Sequence, residues 1–199
     1  LRLVGSEMCI RDRYGTTITS PKLEEQQNGA VDTLVKSRIV NQDDQAHSIY
    51  AEYEIVDQNG QVVSEKVRSE VQSVLAGQEI NLSHTLHVEK PTLWDVKTNN
   101  PALYTLYTRV YRDSQLVDVQ KERFGYRYLN WTPEGGFFLN GAATKFHGVS
   151  LHHDHGALGA EENYKAEYRR LKQMKDMGVN AIRTTHNPAS EQTLQIAAE

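Results

Sequence analysis

Cysteine is almost missing from these 199 residues; Cys9 stands alone. A single thiol excludes an internal disulfide framework and a cysteine-rich zinc site. Long apolar runs are missing too. No stretch approaches the roughly 20 consecutive apolar residues of a membrane helix. Positive charge is not in excess, with 22 Lys and Arg against 26 Asp and Glu and a formal net charge of −4. That balance leaves no electrostatic footprint for nucleic acid or an acidic membrane surface. Internal repeats and low-complexity tracts are lacking as well. What remains is a chain that is 38% hydrophobic and 24% charged, too apolar for a disordered tail. Its length allows one or two domains and is enough to bury a core.

The first segment, Leu1 to Arg13, does not share the patterning of the rest of the chain. It lacks the charge pattern and cleavage site of a secretory signal. It resembles the translated sequencing-adapter strings that contaminate assembled reading frames. Residues 1–13 are therefore set apart as a non-native leader, and on that reading Cys9 is foreign. The other end, Gln192 to Glu199, has a helical pattern without a stop signal. Both ends read as cut, so a fragment is expected.

Between Tyr14 and Arg127 the dominant period is two. Ile80, Leu82, Leu86 and Val88 share one strand face, interrupted by His84, and Ile49, Ala51, Tyr53 and Ile55 alternate in the same way. Asp57-Gln58-Asn59-Gly60, Ala76-Gly77 and Arg112-Asp113-Ser114 read as turns. About seven short strands result, near 15–21, 31–40, 48–56, 61–71, 79–88, 102–111 and 115–124, and predict an all-β immunoglobulin-like sandwich over 14–127. With no disulfide, apolar burial must hold it.

After Arg127 the pattern changes. Phe137-Phe138-Leu139, Asn140-Gly141 and Ala142 onward predict a tight hairpin. Thr144 to Leu151 reads as a strand. Tyr164, Tyr168, Leu171, Met174 and Met177 then recur at helical spacing, with Asn163 as N-cap and Gly178 as stop. Val179 to Arg183 is a second strand, and Ser190 caps a second helix with Glu191 in its first turn. Strand, helix, strand, helix is the grammar of a parallel sheet with a crossover connection.

Five of the eight histidines fall after residue 146. His152-His153-Asp154-His155 lies where the first parallel strand ends. Arg183-Thr184-Thr185-His186-Asn187-Pro188 lies where the second ends. The two clusters are one strand-helix repeat apart, so they converge on the carboxyl-end face where parallel barrels build their sites. Histidine donates hydrogen bonds to sugar hydroxyls, and arginine orients a carboxylate through a bidentate fork. Asp154 is the one strand-end carboxylate, since Glu161 and Glu162 approach a helix start as ordinary dipole partners. A glycosidase needs two carboxylates roughly 5–9 Å apart. A metal reading of the histidine cluster stays open, but adjacent ligands point in different directions and no standard zinc spacing occurs. His47, His84, His87 and His147 read as structural, and His153 and His155 as shaping a loop. Met174 and Met177 read as helix packing, and Trp94 and Trp131 as packing at the sandwich edge and the domain junction.

The run Phe146-His147-Gly148-Val149-Ser150-Leu151-His152-His153-Asp154-His155-Gly156-Ala157-Leu158-Gly159 and the run Met177 to Pro188, with Asn180-Ala181-Ile182-Arg183 and His186-Asn187-Pro188 at its heart, resemble glycoside hydrolase family 2. Leu93-Trp94-Asp95, Asn100 to Tyr104 and Phe124 to Arg127 resemble the end of that family's immunoglobulin-like domain. The likeness spans Tyr14 to Glu199. It implies a sandwich followed by the first βα units, 128–199, of a TIM (β/α)8 barrel that is truncated here, about a quarter of a barrel of roughly 250 residues.

The resemblance also implies retaining exo-β-glycosidase chemistry, with β-galactosidase the branch nearest to the Leu151–Gly159 run. His152 and His186 would contact the glycone as substrate-binding residues, and Arg183 would orient the nucleophile. Asn187 stands where several members carry tyrosine. The acid/base and nucleophile glutamates of the family lie on later strands, beyond Glu199, so no catalytic residue is assigned here and the fragment is expected to be inactive. No cofactor or metal is implied for the fragment, although accessory magnesium or sodium occurs in some full-length relatives. The implied partner is a β-galactoside, with no nucleic acid or membrane, and a homo-oligomeric parent is compatible. Two alternatives stay open: a β-glucuronidase of the same family, and a non-catalytic sugar-binding sandwich module. Any signal sequence would lie upstream, so the compartment stays open.

Overall fold

The computed structural model describes residues 2–3, 15–97, 101–152 and 154–199. Cys9, most of the leader, Asn100 and His153 lie outside the described residues. The chain divides into two compact units, Leu1–Trp94 with Ala102–Arg127, and Asp95–Pro101 with Tyr128–Glu199.

The first unit is the all-β sandwich. One sheet holds β1 (Arg2–Leu3) and β2 (Thr16–Thr19) on one side of β3 (Ala30–Val40), and β7 (Glu79–Glu89) on the other. The second runs through β4 (His47–Val56), β8 (Tyr104–Arg112) and β9 (Gln115–Phe124), with β5 (Val67–Arg68) and β6 (Gln72–Val74) on the free side of β4. A short helix, α1 (Leu23–Gln26), links β2 to β3; four residues are too few to leave a periodic signal.

Alternation explains the core. Val31, Val35 and Ile39 of β3, Leu82, Leu86 and Val88 of β7, Ile49, Tyr53 and Ile55 of β4 and Leu106 and Val110 of β8 are all buried. His84 fills its place in the apolar row of β7 half-buried, its ring 5.4 Å from that of Tyr53. His47 is bridged by Asp43 at 3.0 Å and Asp113 at 2.8 Å. Both histidines serve the architecture.

The strand expected over 61–71 does not form as one element. It breaks into a Val56–Val62 bridge, β5 and β6. Serine hydroxyls take over part of the ladder: the Ile55 amide donates to Ser64 Oγ at 2.9 Å and the Ala51 amide to Ser69 Oγ at 3.0 Å. Such side-chain acceptors compete with regular pairing.

Tyr126 closes the first unit. It is buried, edge-on to Tyr104 and Phe124, with its hydroxyl 2.8 Å from Thr33 Oγ1. Burial pushes its phenol well above the ordinary range, so it remains protonated. Tyr126→Phe is expected to lower unfolding free energy by about 1–2 kcal/mol, because Thr33 loses its near partner in a dry site. A urea titration of both proteins checks this, and coincident midpoints would contradict it.

The second unit begins with the antiparallel strands β10 (Leu129–Thr132), β11 (Gly136–Leu139) and β12 (Ala142–Ala143). Leu139 pairs with Ala142 across Asn140 and Gly141, whose φ values are 51° and 76°. Two successive positive φ values are what a two-residue type I′ hairpin demands. Next come β13 (Gly148–Leu151), α2 (Tyr164–Asp176), β14 (Ala181–Thr184) and α3 (Glu191–Ala198). β13 and β14 pair in parallel, from Gly148 with Ala181 to Leu151 with Thr184. The first of these strands is shorter than the expected 144–151. Asn180 clips the preceding segment instead, accepting from the His147 amide at 2.8 Å and donating to the Lys145 carbonyl at 3.0 Å.

The caps are as expected. Asn163 accepts from the Ala166 amide and Ser190 from the Thr193 amide, each at 3.1 Å, and Gly178 leaves α2 with φ 89°. The buried face of α2 differs from the expectation. Leu171 packs with Leu151 and Ile196, with Met174 and Ile182 against them. Met177, expected to pack, is 74% exposed, and Tyr164 and Tyr168 are exposed and stacked on each other. Met177 is the C-cap, past the last helical turn, and the buried stripe is rotated from the tyrosines towards Glu167. Trp131 is likewise 67% exposed, resting on Phe137 and Phe146.

Candidate active site

The carboxyl ends of β13 and β14 bring the two histidine clusters together. Leu151 turns towards α2 and α3, so by the strand period Ser150 and its register partner Arg183 share the opposite face. His152 follows directly after the strand. One more backbone bond, from the Thr185 amide to the Leu151 carbonyl at 2.9 Å, ties the two strand ends beyond the ladder. The rings of His152 and His186 then lie 6.3 Å apart, edge to face. His186 has φ 67°, a left-handed conformation that non-glycine residues seldom adopt and that clusters at binding sites.

Arg183 is exposed, and its guanidinium has no hydrogen-bond or ion-pair partner among the described residues. Its five donors are thus available to an anionic group. Asp154 Oδ2 stands 3.7 Å from His152 Nδ1, with both side chains largely in solvent. Glu161 and Glu162 are exposed on the approach to α2.

His155 does more than shape a loop. Its Nε2 lies 3.2 Å from Glu167 Oε2, and Glu167 is only 3% exposed. The same carboxylate takes Arg170 Nη2 at 2.5 Å and the Thr193 hydroxyl at 2.9 Å. Sequence reasoning missed Glu167. The signal was there: it precedes Leu171 by four residues and so sits in the apolar stripe of α2, where an unpaired carboxylate would be costly.

Two imidazoles at the strand ends can hydrogen-bond hydroxyls, and the Arg183 guanidinium on β14 can hold a carboxylate. Among the described residues no group of three or more His, Cys, Asp or Glu side chains is placed to hold a metal ion.

The model of the glycosyl hydrolases family 2 matches residues 15–127, and the model of that family's TIM barrel domain matches residues 132–199. The chain belongs to glycosyl hydrolases family 2. A β-galactosidase of Bacteroides ovatus, BoGH2A, is 37% identical over 92% of this chain and 21% of its own length. A β-glucuronidase of Bacteroides fragilis is 32% identical over 75% of this chain and 21% of its own. The crystal structure of a family 2 member from Bacteroides cellulosilyticus superposes with a TM-score of 0.82 at 30% identity, over 93% of this chain and 24% of that one. The chain therefore spans about a fifth of the length of these curated relatives. The family 2 match accounts for the order of the two units, an immunoglobulin-like sandwich and then the opening strands of a barrel.

Proposed function

We propose that this chain is the sandwich and first barrel quarter of a retaining exo-β-glycosidase that removes terminal β-galactosides. The observation that carries the reading is the meeting of His152 and His186 at the carboxyl ends of β13 and β14, with Arg183 on the second of these strands. In a retaining mechanism one carboxylic acid protonates the leaving oxygen while a second carboxylate attacks the anomeric carbon. His152 and His186 hold the glycone hydroxyls, and Arg183 holds the attacking carboxylate ionised and aimed. The family resemblance puts both reacting carboxylates on barrel strands after α3; in this chain Asp154 is solvated and Glu167 is engaged by Arg170, His155 and Thr193.

The relatives named β-glucuronidase favour a second reading, in which the glycone carries a carboxylate. The glycone is decided by assaying the complete reading frame that contains residues 14–199 with chromogenic β-galactoside and β-glucuronide. Turnover of the galactoside alone is expected. Preference for the glucuronide would move the reading to the second class, and turnover of neither would sink both. The 199-residue chain, assayed beside it, is expected to give no turnover above blank. Hydrolysis by this chain would refute the placement of the carboxylates on later strands.

A further inference from the structure

The buried carboxylate of α2 reaches both loops that carry the histidines. On one side it works through Arg170. While Nη2 of that guanidinium holds Glu167, its Nη1 donates to the carbonyls of Asp154 at 2.6 Å and His152 at 3.3 Å. His155 Nε2, in the same loop, approaches Glu167 directly at 3.2 Å. On the other side Glu167 Oε1 accepts from Thr193 Oγ1, which also meets the hydroxyl of Ser190, the N-cap of α3 at the end of the His186–Ala189 loop. Glu167 thus bonds directly to the first loop and, through Thr193 and Ser190, is linked to the end of the second.

We infer that Glu167 is a positioning residue that fixes the spacing of His152 and His186 for glycone binding. The inference rests on the glycosidase reading above. Its physical basis is the cost of burying a carboxylate. A charge this deep is tolerated only with every partner in place, so the partners are held where Glu167 needs them. Two of them, His155 and Arg170, hold the first loop, and the third leads into the second. The first loop is polar and glycine-rich, with both Gly156 and Gly159 at φ 59°, and its own backbone bonds, such as the His155 amide to the Gly159 carbonyl at 2.8 Å, close it on itself without tying it to the helices. A displacement of about 1 Å in a substrate-holding group costs up to about a hundredfold in activity.

The test is a kinetic split in the complete enzyme. Glu167→Leu removes all three contacts. It is expected to raise KM for the glycoside cleaved by about tenfold or more, with kcat within about threefold, as lost glycone contacts require. Glu167→Gln keeps one carbonyl acceptor for Arg170 and an amide that can donate to the Thr193 hydroxyl, and is expected to stay within about threefold of the wild-type KM. Thr193→Val, which cuts only the link to the second loop, is expected to raise KM by about two- to fivefold. A role in stability alone removes active molecules, so kcat would fall with KM unchanged in all three variants; that pattern overturns the inference, as does unaltered kinetics in Glu167→Leu.

If the unsubstituted enzyme cleaves neither glycoside, the functional reading has failed, and the brace is then judged on the 199-residue chain by hydrogen exchange. Glu167→Leu is expected to speed exchange at the His155 and Gly159 amides by about tenfold, with β3 unchanged. Identical exchange in the two loops would overturn the brace by itself.

Discussion

Amide exchange in the 199-residue chain is expected to be about a thousandfold slower in β3, β4, β7 and β8 than in β13 and β14. The difference arises from where apolar area is buried. The large side chains that are less than 2% exposed, among them Tyr53, Tyr126, Ile39, Ile49 and Leu86, all belong to the first unit. There each central strand pairs on both sides, and β3 pairs with β7 over its whole length, from Ala30 with Glu89 to Val40 with Glu79. The parallel pair of the second unit has two strands only. Its core is Leu151, Leu171 and Ile196, none of them below 6% exposure. A two-stranded sheet relies on the helices that cover it, here through a core of three buried side chains, and its edges offer unpaired backbone groups. Residues 14–127 are therefore expected to fold alone, and 128–199 to be loose or prone to aggregate when expressed alone. Equal protection in both sheets would contradict this account.

The sandwich was legible because period two is a local property. Val31, Val35 and Ile39 announce their face by spacing alone, and turns such as Asn59-Gly60 announce themselves through a glycine that tolerates the positive φ of 79°. The strand over 61–71 was misread for a reason that is not local. Whether Ser64 and Ser69 face the edge of β4 or stand in a ladder depends on the partner strand, which no periodicity reveals.

The site divides the same way. Spacing by one βα repeat placed His152 and His186 at neighbouring strand ends, because topology fixes strand ends before any side chain is considered. Glu167 escaped because a carboxylate on a charged helix reads as solvated unless its partners are known. Those partners, His155, Arg170 and Thr193, come from three different elements. Met177 failed in the opposite sense. The apolar spacing continued past the point where the helix ended.

Arg183→Ala in the complete enzyme is expected to have the largest catalytic effect, lowering kcat by about 10²–10³-fold. The register of β14 is the reason. Pairing with Ser150 puts Arg183 on the face away from Leu171 and Ile196, and no carboxylate among the described residues occupies its guanidinium. On the proposed mechanism that cation stands beside the attacking carboxylate. A neighbouring positive charge favours the ionised form and so lowers a carboxylate's pKa. Removing the charge raises that pKa, and the acid limb of the pH profile of kcat/KM must move to higher pH, because more alkaline solution is then needed to ionise the nucleophile. Arg183→Lys keeps the charge but loses the planar fork. It is expected to leave the acid limb near its wild-type position while kcat still falls, since aim is lost and charge is not. The two variants separate electrostatics from geometry. An Arg183→Ala enzyme with a lowered kcat and an unmoved acid limb would show that the guanidinium does not face the nucleophile, and would assign Arg183 to the substrate instead.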